Sequence, residues 1–273
     1  LGPSQEGGAE PRRAPMPRVA VLGQKDALVR ALYDLAQLGR SHPLEVLVIV
    51  PSLQGPVLHG ADVHGACGAF GFRYVFGESD DILLQELQDF APDLIVSILW
   101  PRRVQQDVLT LCADCINFHP SLLPRHRGSI TQFWAIFDGD SEAGATCHRM
   151  VREFDAGRIL DQASFAVAED ETALSLSVKI AGAVEQCFKR VIRLFLRPEG
   201  LPQGQEWDVK AFPYHFRKFP RKGEIDPEWP EDKIERFVRA MYFPPHPPAW
   251  IRGPDGVEHY VRSIEDYRLA LAG

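Results

Sequence analysis

This chain has no apolar run approaching the ~18 residues that a membrane-spanning helix needs, and its first residues lack the apolar centre of a secretory signal. A membrane partner is therefore not expected. It also lacks a basic surplus: 30 Lys and Arg against 37 Asp and Glu leave a formal charge of -7. Phosphate backbones are bound mainly through clustered Lys and Arg, so no nucleic-acid partner is expected either. Cysteine is scarce, with five residues scattered through apolar segments. That number and placement argue against a disulfide framework and for a reducing cytoplasm. Cys112 and Cys115 form a lone C-x-x-C without a second pair at metal-ligand spacing, and H-E-x-x-H is missing, so no metal is expected. Without G-x-G-x-x-G or a Walker-type loop, the usual signals of a bound nucleotide cofactor are absent too.

What remains is an ordinary globular composition. With 273 residues, 45% of them hydrophobic, the chain can bury a large domain and a smaller second one. Residues 1–15, rich in Gly, Pro and Glu, are expected to be a disordered extension or a vector remnant, with Met16 as the native start. From there, short β-branched runs alternate with amphipathic stretches. Strands are predicted at Arg18 to Leu22, Glu45 to Val50, Arg73 to Val75, Asp93 to Ile98 and Cys115 to His119. Helices are predicted from Asp26 through Leu38, at Asp80 to Phe90 and at Gln105 to Leu111. That alternation predicts an α/β fold, a Rossmann-like, mostly parallel sheet with helices on both faces.

Beyond these, Ser129 to Phe137 reads as a helix capped by Ser129 or Thr131, and Ala145 to Val151 as a strand. A long amphipathic helix begins after Thr172 and ends before Pro198. Residues 16–199 would then form the main domain, 200–208 a Gly/Pro linker, and 209–273 a small C-terminal α+β subdomain packed on the first. In it, Lys233 to Met241 is predicted helical, and Ala249 to Ile251 and His259 to Val261 a hairpin around Gly253 to Gly256.

The densest chemical signal sits at the end of the Cys115 to His119 strand. Asn117 and His119 are two residues apart, so both side chains leave one face of the pleat, and Pro120 forces an immediate turn. Polar residues at a strand's carboxyl end border the crevice where open α/β sheets bind ligands. Farther on, Phe154-Asp155-Ala156-Gly157 offers a carboxylate in a turn.

The words CINFHPSLLPRHRG and DGDSEAGATCHRMVREFDAGRIL resemble the folate-dependent formyltransferase family, over about Arg18 to Leu196. The C-terminal words GEIDPEWPEDKIERFVRAMYFPPHPPAW look most like the sugar N-formyltransferase branch. The resemblance implies 10-formyltetrahydrofolate as a co-substrate and a small amine as acceptor, a nucleotide-linked amino sugar ahead of methionyl-tRNA and of an amino-acid or hydroxylamine intermediate; a homodimer is the assembly considered. It carries the catalytic roles to Asn117, His119 and Asp155. Asn and His would donate to the oxygen of a tetrahedral oxyanion, and the carboxylate would support the imidazole. Ala156 departs from the Thr common in that position. The pterin would lie between Ile98, Leu99, Trp100 and Pro101 on one side and Arg152, Glu153 and Phe154 on the other. Ser121, Arg125 and Arg127 are expected to offer donors to the acceptor, Gln132 and Tyr242 to line its pocket, and Arg217, Lys218 and Arg221 to meet a pyrophosphate. His126 reads as incidental, and Trp134 as core or pocket wall.

Overall fold

A computed structural model describes residues 16–51 and 62–272; the expected extension at 1–15 lies outside the described residues. The chain runs β1 (Arg18–Gly23), α1 (Lys25–Gly39), β2 (Glu45–Val50), α2 (Val63–Phe70), β3 (Arg73–Phe76), α3 (Asp80–Phe90), β4 (Leu94–Ile98), α4 (Gln106–Leu109) and β5 (Asp114–His119). There follow β6 (Arg127–Gly128), α5 (Thr131–Phe137), β7 (Glu142–Arg149), β8 (Ile159–Ala166) and α6 (Ala173–Phe195). The C-terminal part adds β9 (Tyr214–His215), α7 (Glu231–Met241), β10 (Ala249–Arg252), β11 (Glu258–Val261) and α8 (Ile264–Ala272).

One sheet of seven strands, in the order β3-β2-β1-β4-β5-β7-β8, forms the centre. Its first five strands are parallel, and β7 and β8 are antiparallel additions. In β1, Val19 and Val21 join the core that contains α1, α2 and α6, while Ala20 and Leu22 join the one containing α3 and α4. Strand alternation thus explains why the central strands are apolar throughout: each residue is buried by a helix layer on one face or the other. Helix α6 starts from a reciprocal Thr172–Ser175 capping box and packs Phe188 onto Phe118 of β5, with ring centroids 5.5 Å apart. Among the described residues, no helix is long and apolar enough to cross a membrane.

Several local expectations shift. The strand placed at Ala145 to Val151 runs instead over Glu142–Arg149, with Met150 N still donating to Cys115 O of β5 at 2.8 Å just past its end. Helix α5 is capped by neither Ser129 nor Thr131; Ile130 holds the cap position at φ +54°, and Thr131 Oγ1 donates instead to the Pro120 carbonyl, 2.6 Å away. Residues 200–208 are more than a tether. Gln205 exchanges two hydrogen bonds with Ile159, and Trp207 Nε1 donates to Gly157 O at 3.0 Å. Helix α7 places Ile234, Phe237 and Val238 in the core shared with α5 and α6, and Phe133 and Phe237 meet at 5.9 Å. Helix α2, with two glycines, and β8, without clean alternation, have no counterpart among the predicted elements.

Candidate active site

Strand β5 ends in the middle of the sheet, between β4 and β7, and its last residues open into a cavity of about 680 Å³. Asn117, His119 and Asp155 all line that cavity. Asn117 pairs across the ladder with His148, and His119 with Thr146. The imidazole of His119 is buried at 3% exposure, so its surroundings decide its charge. Nδ1 lies 3.3 Å from Asp155 Oδ1, and Nε2 lies 3.0 Å from the His126 carbonyl. Burial pushes the His119 pKa down, but the Asp155 carboxylate and the His126 carbonyl outweigh it and hold the pKa above the ordinary histidine value. With an acceptor at each nitrogen, the ring is suited to carry two protons.

Asp155 reaches this position from a left-handed residue, φ +49°, in the loop between β7 and β8. Its burial favours the neutral acid, yet the charges and hydrogen bonds of His119 and His148 hold its pKa well below the usual carboxylate range. Oδ2 accepts from the Gly128 N–H at 3.0 Å. Gly128 has no alternative: at φ +98° a Cβ would stand 2.2 Å from the His215 carbonyl oxygen. Gly157, two residues beyond the carboxylate, is equally confined, because a Cβ there would meet Arg149 O at 1.9 Å. With no hydroxyl at Ala156, the carboxylate has contacts from both histidines and a main-chain amide.

His148 is the site residue that the sequence reading missed. Its Nδ1 donates to the Arg149 carbonyl at 2.8 Å, and Nε2, when it bears no proton, accepts from Asn117 Nδ2 at 3.0 Å. That bond orients the amide and leaves a second N–H on Nδ2 for the cavity. Nε2 is also 3.6 Å from Asp155 Oδ1. The clue was present in the period-2 pattern of Thr146 and His148, but its meaning required the register of β7 against β5.

The remaining expectations divide sharply. Leu99, Trp100, Pro101, Glu153, Phe154 and Gln132 line the cavity. Ile98 does not; it is fully buried in the core, and its carbonyl accepts from Gln24 N at 3.3 Å. Arg152 is exposed outside the lining, and Tyr242 also lies outside it, with its carbonyl accepting from Leu174 N at 3.1 Å at the start of α6. The loop donors are turned inward or away. Ser121 Oγ donates to the carbonyls of Arg125 and His126, at 2.8 and 3.3 Å, and Arg125 pairs with Asp140. The Arg127 guanidinium serves the carbonyls of Phe154, Val209 and Phe212. All three lie outside the cavity lining, because the turn after Pro120 consumes these groups in holding itself. Arg221 pairs with Glu224 and Asp226, and Lys218 lies outside the lining, whereas Arg217 lies within it. Trp134 stacks on His215 at 4.2 Å and does not reach the cavity. His126, read as incidental, is buried against Asp140 at 2.7 Å.

The cavity lining is chemically mixed. It includes the apolar side chains Leu99, Val104, Leu109, Met150 and Val151, with Trp100, whose buried Nε1 has no partner among the described residues. It also includes Gln24, Lys25, Gln132, Tyr214, Arg217 and Phe243. Burial and the neighbouring Arg217 push the Lys25 ammonium pKa down, and neither cation forms an ion pair among the described residues. Asp26 acts on Lys25 in the opposite sense, and the two neighbouring cations suit an anion.

The family described as formyl transferase matches residues 18–192. GDP-perosamine N-formyltransferase of Brucella melitensis biotype 1 is 40% identical over 187 residues, covering 68% of this chain and 70% of that protein. Among solved structures, a sugar N-formyltransferase from Shewanella sp. superposes with a TM-score of 0.70 at 18% identity, over 90% of this chain and 97% of that one. An N-formyltransferase from Helicobacter canadensis, in complex with folinic acid and dTDP-3-aminofucose, gives 0.70 at 20% identity, over 84% and 81%. These solved structures share the fold.

Proposed function

The chain belongs to the formyl transferase family, and from that premise we propose that it transfers a formyl group from 10-formyltetrahydrofolate to the amine of a nucleotide-linked amino sugar. The observation that carries this reading is the convergence of Asn117, His119 and Asp155 in one cavity lined by both apolar and cationic side chains. The apolar part of the lining suits a flat heteroaromatic ring, with Trp100 Nε1 left to address its polar edge. Lys25 and Arg217 suit a diphosphate, and Tyr214 and Phe243 offer apolar surface for what it carries. The relatives named for sugar acceptors support the same assignment.

When bound, the folate supplies the formyl carbon. Asn117 turns its free N–H toward the oxygen on which negative charge develops, and the His119 cation stabilises that charge. The Nδ1 contact to Asp155, 3.3 Å, is longer than the ~2.7–2.9 Å of a tight charge-assisted bond, so the oxygen can share that proton. Asp155 keeps the imidazole charged while this happens.

The sign of the pH dependence follows. His119 is active as the cation and its pKa is raised, so turnover falls as pH rises through a midpoint above the ordinary histidine value. The acceptor amine must be neutral, so turnover also falls toward acid. A bell-shaped profile is expected from initial rates measured across pH. The direct test incubates the protein with 10-formyltetrahydrofolate and a panel of nucleotide-linked amino sugars. A mass gain of one formyl group on one of them is expected; formylation confined to free amino acids or other amines would overturn the acceptor assignment.

A further inference from the structure

The imidazole of His119 is gripped from two sides, and only one grip belongs to the reacting cluster. On the Nε2 side stands the His126 carbonyl, 3.0 Å away. A carbonyl can only accept, so it holds a proton on Nε2 as the Asp155 carboxylate does on Nδ1, and a neutral ring would leave one nitrogen facing an oxygen with no hydrogen between them. Turning that carbonyl inward places His126 at φ +54°, a conformation disfavoured for any residue with a Cβ.

Outside the loop, the His126 side chain is anchored. Its Nε2 donates to Asp140 Oδ2 at 2.7 Å, Asp138 Oδ2 lies 3.8 Å from its Nδ1, and the His215 ring lies 5.8 Å away. Asp140 is itself buried and fixed at the end of α5, where its N–H donates to Ala135 O at 2.9 Å; its other oxygen pairs with Arg125. Neither Asp140 nor His126 lines the cavity. We propose that Asp140 is a positioning residue for the reaction: through the side chain and then the carbonyl of His126, it holds an acceptor at Nε2 of His119 that favours the charged ring, and it fixes where the ring points. A contact that only stabilised the loop would not require its backbone to be turned onto the imidazole.

This inference rests on the proposed role of His119, whose charged neighbours are Asp155, His148 and Arg127. The test follows the ring nitrogens of 15N-histidine-labelled protein against pH in the wild type, Asp140→Asn and Asp140→Glu, beside kcat and KM. In Asp140→Asn, the His119 midpoint and the alkaline limb of kcat should move together to a lower pH, by about one pH unit, because the charged ring loses a well-aimed acceptor. KM should hold, and Asp140→Glu should restore the profile. A wild-type His119 titration in Asp140→Asn, accompanied only by a lower Tm, overturns the proposal. Should Asp140→Asn fail to fold, His126→Gln, which retains a donor for Asp140, is compared with His126→Ala; equal His119 midpoints in the two overturn it as well. If the wild type transfers no formyl group, the functional reading fails, while the titration still decides the Asp140 link.

Discussion

Strand β5 and the loop that follows it, residues 120 to 127, carry comparable numbers of polar groups, yet they spend them in opposite ways. Asn117 and His119 face the cavity because strand alternation and pairing with β4 and β7 leave them no other direction. Ser121, Arg125 and Arg127, only a few residues later, face carbonyls and Asp140. A strand end has its backbone groups satisfied by neighbours, so its side chains are free for chemistry. A tight turn in the interior must satisfy its own carbonyls and recruits the nearest donors.

The largest effect should come from removing Asp155, which joins the two regions by holding both His119 and the Gly128 N–H. Asp155→Ala is expected to lower single-turnover formyl transfer by about 10³-fold or more. A loss below about tenfold would break the comparison at its strongest point. Asn117→Ala comes next, with about a 10²–10³-fold loss in kcat and little change in either KM, because its free N–H acts on charge that develops during the reaction.

On the loop side, Arg127→Ala should act on stability. Three carbonyls lose their donor, a cost of roughly 1–3 kcal/mol, visible as a lower urea midpoint. Kinetic loss without that shift would place Arg127 with the reacting groups. Arg125→Ala should be the mildest. Its own side chain is 55% exposed, and buried Asp140 keeps His126 as a partner, so turnover should stay near wild type, with a stability loss of about 1–2 kcal/mol read from Tm.

Much of this division was legible beforehand. The apolar runs of β1, β2 and β4 announce a doubly covered sheet, and two polar residues in alternation before a proline announce a strand end with a purpose. His148 and Asp140 were not legible as site residues. The first gains its role from pairing across β7, the second from the return of the chain at the end of α5, and both juxtapositions join segments distant in sequence. The start of β7 was placed late because its pairing partner β8, which runs from Ile159 to Ala166 opposite Glu142 to His148, was not itself predicted.

By itself, the sequence determined what is local: the periods that make helices and strands, the glycines at 128 and 157 that admit close backbone contacts, and the chemical types available to the site. Tertiary structure alone decided which polar groups remain unspent. A donor's availability depends on the acceptors brought within about 3 Å of it, and in this protein those acceptors arrive from other strands and loops.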